Sequence, residues 1–186
     1  MMIYKDGVIG VIKINRQQWG EPLNIKTLLG IEKALDQWKD HNGIKIIVLA
    51  MESDLLLDAE QLRVRDKAVQ DMFMLYLSNL GKKIKSFNKV TMVVINSHIY
   101  AEELVLAMAC DIRIAVENIK LLNLTGEIIS SQHAKEIGLV SQVVPKEELW
   151  QTVLDRVSQV LVSNSSSFKI KGISRNEMLN YSEESL

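Results

Sequence analysis

The sequence predicts an α/β fold, and three observations carry that prediction. Val8–Ile14, Ile44–Ala50 and Val90–Ile95 are short, mostly apolar runs rich in β-branched residues, the pattern of strands buried in a sheet. Asn24–Lys39 and Ala68–Ile84 lie between them, with apolar residues recurring at three and four, the pattern of amphipathic helices. After the third run the same alternation resumes, with helix 101–109, strand 112–116, helix 131–137, strand 139–144 and helix 146–162.

Taken in order, the first strand follows the turn Asp6-Gly7. Asn24 is a suitable N-cap for the first helix, whose apolar positions Ile25, Leu28, Leu29, Ile31 or Leu35, and Trp38 recur at three and four, and which stops at His41-Asn42-Gly43. Glu52–Arg65 is ambiguous. Ala68–Ile84 is expected to bury Val69, Met72, Phe73, Tyr76, Leu77, Leu80 and Ile84. Met72, Phe73 and Met74 together read as core packing. The helix at Ala101–Ala109 is apolar nearly all round from Leu104 onward, so burial is expected. Ile112–Val116 and Ile119–Leu124 follow as strands. Ser131–Ile137 is a short helix capped by Gly138, Leu139–Val144 a strand stopped by Pro145, and Lys146–Val162 a helix. A further helix is expected near Phe168–Leu179. The expected organisation is a core over 1–145 followed by a helical segment over 146–186.

The 186 residues suffice for one sizeable core, and 47% hydrophobic content with a formal net charge of −1 is ordinary for a globular protein. No basic excess points to nucleic acid. No apolar run approaches the roughly 20 residues of a membrane span, and the N-terminus lacks a basic-then-apolar leader, so a cytoplasmic protein is expected. The single cysteine, Cys110, excludes an internal disulfide and sits in an apolar helical run, as a structural thiol does.

Chemistry-bearing residues gather in the turn after the third strand. His98 beside Tyr100 is a candidate proton-handling site, because imidazole exchanges protons near neutral pH; an exposed loop histidine is the plainer reading. Glu102 and Glu103 fit either an acid/base pair or first-turn carboxylates that complement the helix dipole. His41 and His133 have no partner at metal-ligand spacing, so no metal is expected. Lys82, Lys83 and Lys85 form a basic helix end that suits either an anionic ligand or solvent. P-loop, dinucleotide and nucleophile-elbow motifs are absent.

Several segments, in order, resemble the crotonase superfamily of enoyl-CoA hydratases and isomerases. Ile14-Asn15-Arg16 with Asn24 is similar to the family's opening Leu-Asn-Arg-Pro…Asn, without the proline. Ile44–Ala50 resembles the strand carrying "VVLTG", and Asn88-Lys89-Val90 with Val93–Asn96 resembles "KPxIAAVNG". Leu106–Ala115 is close to "LALACDIRIA", and Ile137–Pro145 matches "xGLVxxVVP"; these two are the most specific. The resemblance implies a ββα superhelical core, a CoA or acyl-carrier thioester as ligand, no required cofactor, and assembly as a trimer or hexamer or with an active relative.

At the positions that carry the family's chemistry the sequence departs. The two amides of the family's oxyanion hole map to Glu60 and Glu102, where small residues and glycine are usual. The hydratase carboxylate six residues before Asp111 maps to Val105, which transfers no proton. The connection Glu117–Gly138 lacks the family's "PE…GxxPxxG" loop, although Thr125–Ser130 resembles the "TGExIxA" that follows it. The C-terminal helices that close the CoA site look shortened. Two expectations follow. One is a pseudoenzyme, a binding or assembly partner without hydratase activity. The other is an acyl-thioester hydratase, isomerase or decarboxylase whose acid/base work has moved to Glu102, Glu103 or His98.

Overall fold

The computed structural model describes residues 1–15, 23–52, 67–122 and 126–163. Its main sheet has six strands in the order β1 (Met2–Asp6), β2 (Ile9–Asn15), β3 (Ile46–Glu52), β4 (Val90–Ile95), β5 (Ile112–Val116) and β8 (Gln142–Val144). β1 and β2 form an antiparallel hairpin, and every later pair is parallel. Gly7 turns the hairpin with φ +55°, a left-handed conformation that costs glycine little. β1 has no counterpart in the sequence reading, because MIYKD is too mixed in character to show as a buried run.

Strand order follows chain order, so each parallel connection advances by one strand in the same direction. The chain therefore winds as a spiral. The connections are α1 (Ile25–Lys39), α2 (Lys67–Lys85) and α3 (Ala101–Ala109), and α2 packs against both α1 and α3. A two-stranded sheet of β6 (Lys120–Leu122) and β7 (Ile128–Ser130) follows, then α4 (Ser131–Glu136) and α5 (Leu149–Ser163). α5 lies against β5, where Arg156 Nη2 donates to Gln142 Oε1 of β8 at 3.0 Å.

The core lies on the sheet. Six of the seven β3 residues are buried, which explains their unbroken apolar run. α1 begins as expected: Asn24 Oδ1 accepts the Thr27 N–H at 2.9 Å. It buries Leu28, Ile31, Ala34, Leu35 and Trp38, while Leu29 is exposed. Trp38 lies so close over Gly10 that a Cβ there would be 2.6 Å from the indole ring. The end of α1 is held by the start of β4. Lys89 Nζ donates to the Trp38 and His41 carbonyls, and Asn88 Nδ2 to the Lys39 carbonyl at 3.3 Å.

α2 corrects one expectation. Phe73, Leu77, Leu80 and Ile84 are buried, but Met72 (47% exposed), Met74 and Tyr76 face outward beside Leu75 (61%). Apolar residues on two faces of one helix satisfy the same three-and-four spacing, so periodicity alone cannot separate them. At its far end Lys83 bridges to Asp36 (2.7 Å) and Glu32 (3.2 Å) of α1. Burial pulls its pKa down, but the two carboxylates outweigh that and raise it. The helix expected near Phe168–Leu179 lies outside the described residues.

Candidate functional site

The site region is the turn that leaves β4 and enters α3. Its floor is fixed to β3: the Asn96 N–H donates to the Met51 carbonyl at 3.0 Å, and buried Ser97 points its hydroxyl at the same oxygen. Its far side is fixed to β6. Ile99 N–H donates to the Lys120 carbonyl (3.1 Å), and Leu122 N–H to the Ile99 carbonyl (2.9 Å). The turn therefore has a ladder partner on each side.

His98 takes part in that ladder. Its Nδ1 accepts the Lys120 N–H at 2.9 Å, which places the neutral ring's proton on Nε2. Burial first, and the Lys120 charge second, push its pKa below the ordinary histidine value. Glu103 is buried at 3% exposure, and its Oε2 accepts the Tyr100 N–H at 3.0 Å. This is the carboxylate half of a capping box at the third position of α3. It lacks the Ser or Thr that normally announces one, because Tyr100 is the N-cap.

Glu102 is half-buried at the second helical position. The first intrahelical bond is Leu104 N–H to the Tyr100 carbonyl, at 2.9 Å. The Glu102 N–H makes no hydrogen bond among the described residues, as helix geometry dictates for a second position. An unengaged amide at the positive end of a helix can accept an anionic oxygen from a ligand. Val105 lies one turn on, partly buried against the core. Glu60 lies outside the described residues.

The opposite end of α3 is tied to its neighbours by side-chain bonds. Asp111 Oδ2 accepts both the Thr91 N–H (2.8 Å) and the Thr91 hydroxyl (2.9 Å). Arg113 Nε donates to the Leu139 carbonyl and Nη1 to the Cys110 carbonyl, each at 2.8 Å. Ser141 N–H returns to the Arg113 carbonyl at 2.7 Å, so the two most specific sequence segments, Leu106–Ala115 and Ile137–Pro145, are bonded to each other. Cys110 is buried, and burial pushes its thiol pKa up to about 12, which leaves it a thiol.

Sequence reasoning missed one buried polar pair. Lys13 Nζ of β2 meets Glu52 Oε2 of β3 at 2.7 Å, with side-chain exposures of 7% and 18%. The available signal was a lysine inside a β-branched strand and a glutamate closing an apolar one. Among the described residues no group of three or more His, Cys, Asp or Glu is arranged to hold a metal, and no helix is long and apolar enough to cross a membrane.

No protein-family model matches the chain. Its sequence is 23% identical over 211 residues to a crotonyl-CoA hydratase of Syntrophomonas wolfei, covering 95% of this chain and 81% of that one. That span exceeds the 186 residues present here, so the relative has interior residues with no counterpart in this chain. An enoyl-CoA hydratase of Mycobacterium smegmatis superposes with a TM-score of 0.74 at 17% identity, covering 85% of this chain and 75% of that one. An enoyl-CoA hydratase/isomerase family protein of Silicibacter pomeroyi superposes at 0.76 with 15% identity, covering 89% and 84%. The chain is a crotonase-fold protein. Within that crotonase fold, the bonded C-terminal end of α3 lies in Leu106–Ala115, one of the two segments whose sequence carries the most specific resemblance to the family's motifs.

Proposed function

We infer that this crotonase-fold protein binds an acyl thioester, on CoA or an acyl carrier, without hydratase turnover, and acts as a binding or assembly partner. One observation carries the reading: two of the three side chains that could move a proton at the β4–α3 turn, His98 and Glu103, are already engaged. Glu103 is buried on the Tyr100 N–H. His98 Nδ1 is taken by the Lys120 N–H, and its lowered pKa keeps it neutral at pH 7. Valine occupies position 105, where the resemblance places a catalytic carboxylate. A general acid or base must reach the proton it transfers, and neither engaged group does so without breaking a structural bond.

Binding keeps its support at the same place. The Glu102 N–H is still available to a thioester carbonyl, so polarisation of the ligand does not require a side-chain acid. Assembly is supported by the outer face of α2, where Met72, Leu75 and Tyr76 are exposed at i, i+3 and i+4. A second copy or an active crotonase-fold relative would cover it.

Calorimetric titration of the full chain with crotonyl-CoA and with free CoA tests the reading. Saturable heat with crotonyl-CoA is expected. Absence of binding by either ligand sinks the thioester reading and leaves a protein partner as the object of search.

A further inference from the structure

Toward the carboxyl ends of β2, β3 and β4 lie three polar side chains, Lys13, Glu52 and Asn96. Lys13 pairs in register with Ala50, and Glu52 lies two residues beyond Ala50, so both fall on one face of the pleat. Their 2.7 Å ion pair is made across that face. Val94 pairs with Ala50 from the other side, and Asn96 lies two residues beyond Val94. The same alternation sets Asn96 beside Glu52, on the neighbouring strand end. Among the described residues, the buried Asn96 Oδ1 has no hydrogen-bond partner.

The fold does not require these groups. The β2–β3 and β3–β4 ladders are complete through their backbones, and a buried ion pair is commonly replaced by apolar residues without loss of stability. A buried acceptor with nothing to accept is unfavourable wherever it has no ligand or water. Glu52 is the more open member of its pair, and only its Oε2 is engaged by Lys13. The strand register thus puts the Glu52 carboxylate and the Asn96 amide on one face at neighbouring strand ends. The β4–α3 turn with the Glu102 amide begins at Asn96.

We propose that Glu52 and Asn96, with Lys13 fixing Glu52, form a subsite for a hydrogen-bond donor on the acyl group of the bound thioester. This rests on the thioester-binding reading above and names its ligand class: hydroxyl-bearing acyl thioesters in preference to plain alkyl ones. An alkyl chain placed there would leave both acceptors unpaired, which penalises it more than a missing methylene does.

The test is calorimetry on the full chain with 3-hydroxybutyryl-CoA, 4-hydroxybutyryl-CoA and butyryl-CoA, repeated on Asn96→Leu and on the double variant Lys13→Met/Glu52→Leu. At least one hydroxylated probe should bind about tenfold tighter than butyryl-CoA. That preference should fall to near parity in the variants. Thermal melts report folding of each variant, and the apolar double variant serves if Asn96→Leu does not fold. Equal affinities in the native protein, or a preference that survives in a folded variant, overturn the subsite and leave thioester binding intact. No binding of any of the three, nor of crotonyl-CoA, overturns both.

Discussion

The two ends of α3 behave as different kinds of structure. At the C-terminal end, Asp111, Arg113 and Cys110 are joined to β4 and to the segment before β8 by bonds of 2.8–2.9 Å from carboxylate and guanidinium. At the N-terminal end, Glu103 closes onto the Tyr100 amide and His98 onto the Lys120 amide, and among the described residues the Glu102 N–H is left over. The first end holds three strands and a helix in register. The second shapes a turn. The most specific family motifs read in the sequence lie at the first end, and the departures expected from them at the second. A fold can therefore be specified by residues that play no part in its chemistry.

Breaking the C-terminal end should have the largest effect. Arg113→Ala leaves the Leu139 and Cys110 carbonyls without their donor and is expected to cost about 2 kcal/mol. The melting temperature should drop by roughly 4–8 °C. Arg113→Lys should recover only part of this, since one ammonium does not reproduce the planar fork. Thioester affinity measured below the melt should be unchanged in both; a loss of affinity at full folding would show that the two ends are not separate.

A smaller effect is expected at the N-terminal end. Glu103→Ala removes the cap on Tyr100 N–H and should cost about 1 kcal/mol. Because it loosens the turn carrying the Glu102 amide, it should also weaken crotonyl-CoA binding severalfold. Unaltered binding with lowered stability would mean that the cap does not position the amide.

The smallest effect is a pH dependence. The folded His98 has a pKa below its unfolded value of 6.5, so the unfolded chain binds more protons in between. The His98 contribution is fully present above pH 6.5 and is lost as pH falls through the lower folded value. His98→Asn keeps an acceptor for the Lys120 N–H and removes the titration. Melts of the two proteins should run parallel above pH 6.5 and diverge below it, with the native protein losing more. Parallel behaviour throughout would place His98 outside the ladder in solution.

The buried strands and the first helix were legible because their signals are local. Ile46–Ala50 announces itself by an unbroken apolar run, and Asn24 by its cap chemistry. What escaped depends on register between distant segments. Nothing near His98 in sequence shows that it meets Lys120, twenty-two positions away. Glu103 reads as a free first-turn carboxylate until Tyr100 is seen as the N-cap. Lys13 and Glu52 become a pair only once β2 and β3 are aligned. The outer stripe of α2 was hidden because both of its faces share one helical period. For the same reason the candidate site was harder to read than the fold: motifs located the turn, but hydrogen-bond partners decide which of its groups remain available.

The most direct test is to follow the enoyl absorbance of crotonyl-CoA during titration into the purified full chain. The account predicts saturable binding with constant absorbance over many equivalents of ligand. Absorbance that falls at a rate proportional to protein concentration, beyond one equivalent, would contradict it and return proton transfer to the β4–α3 turn.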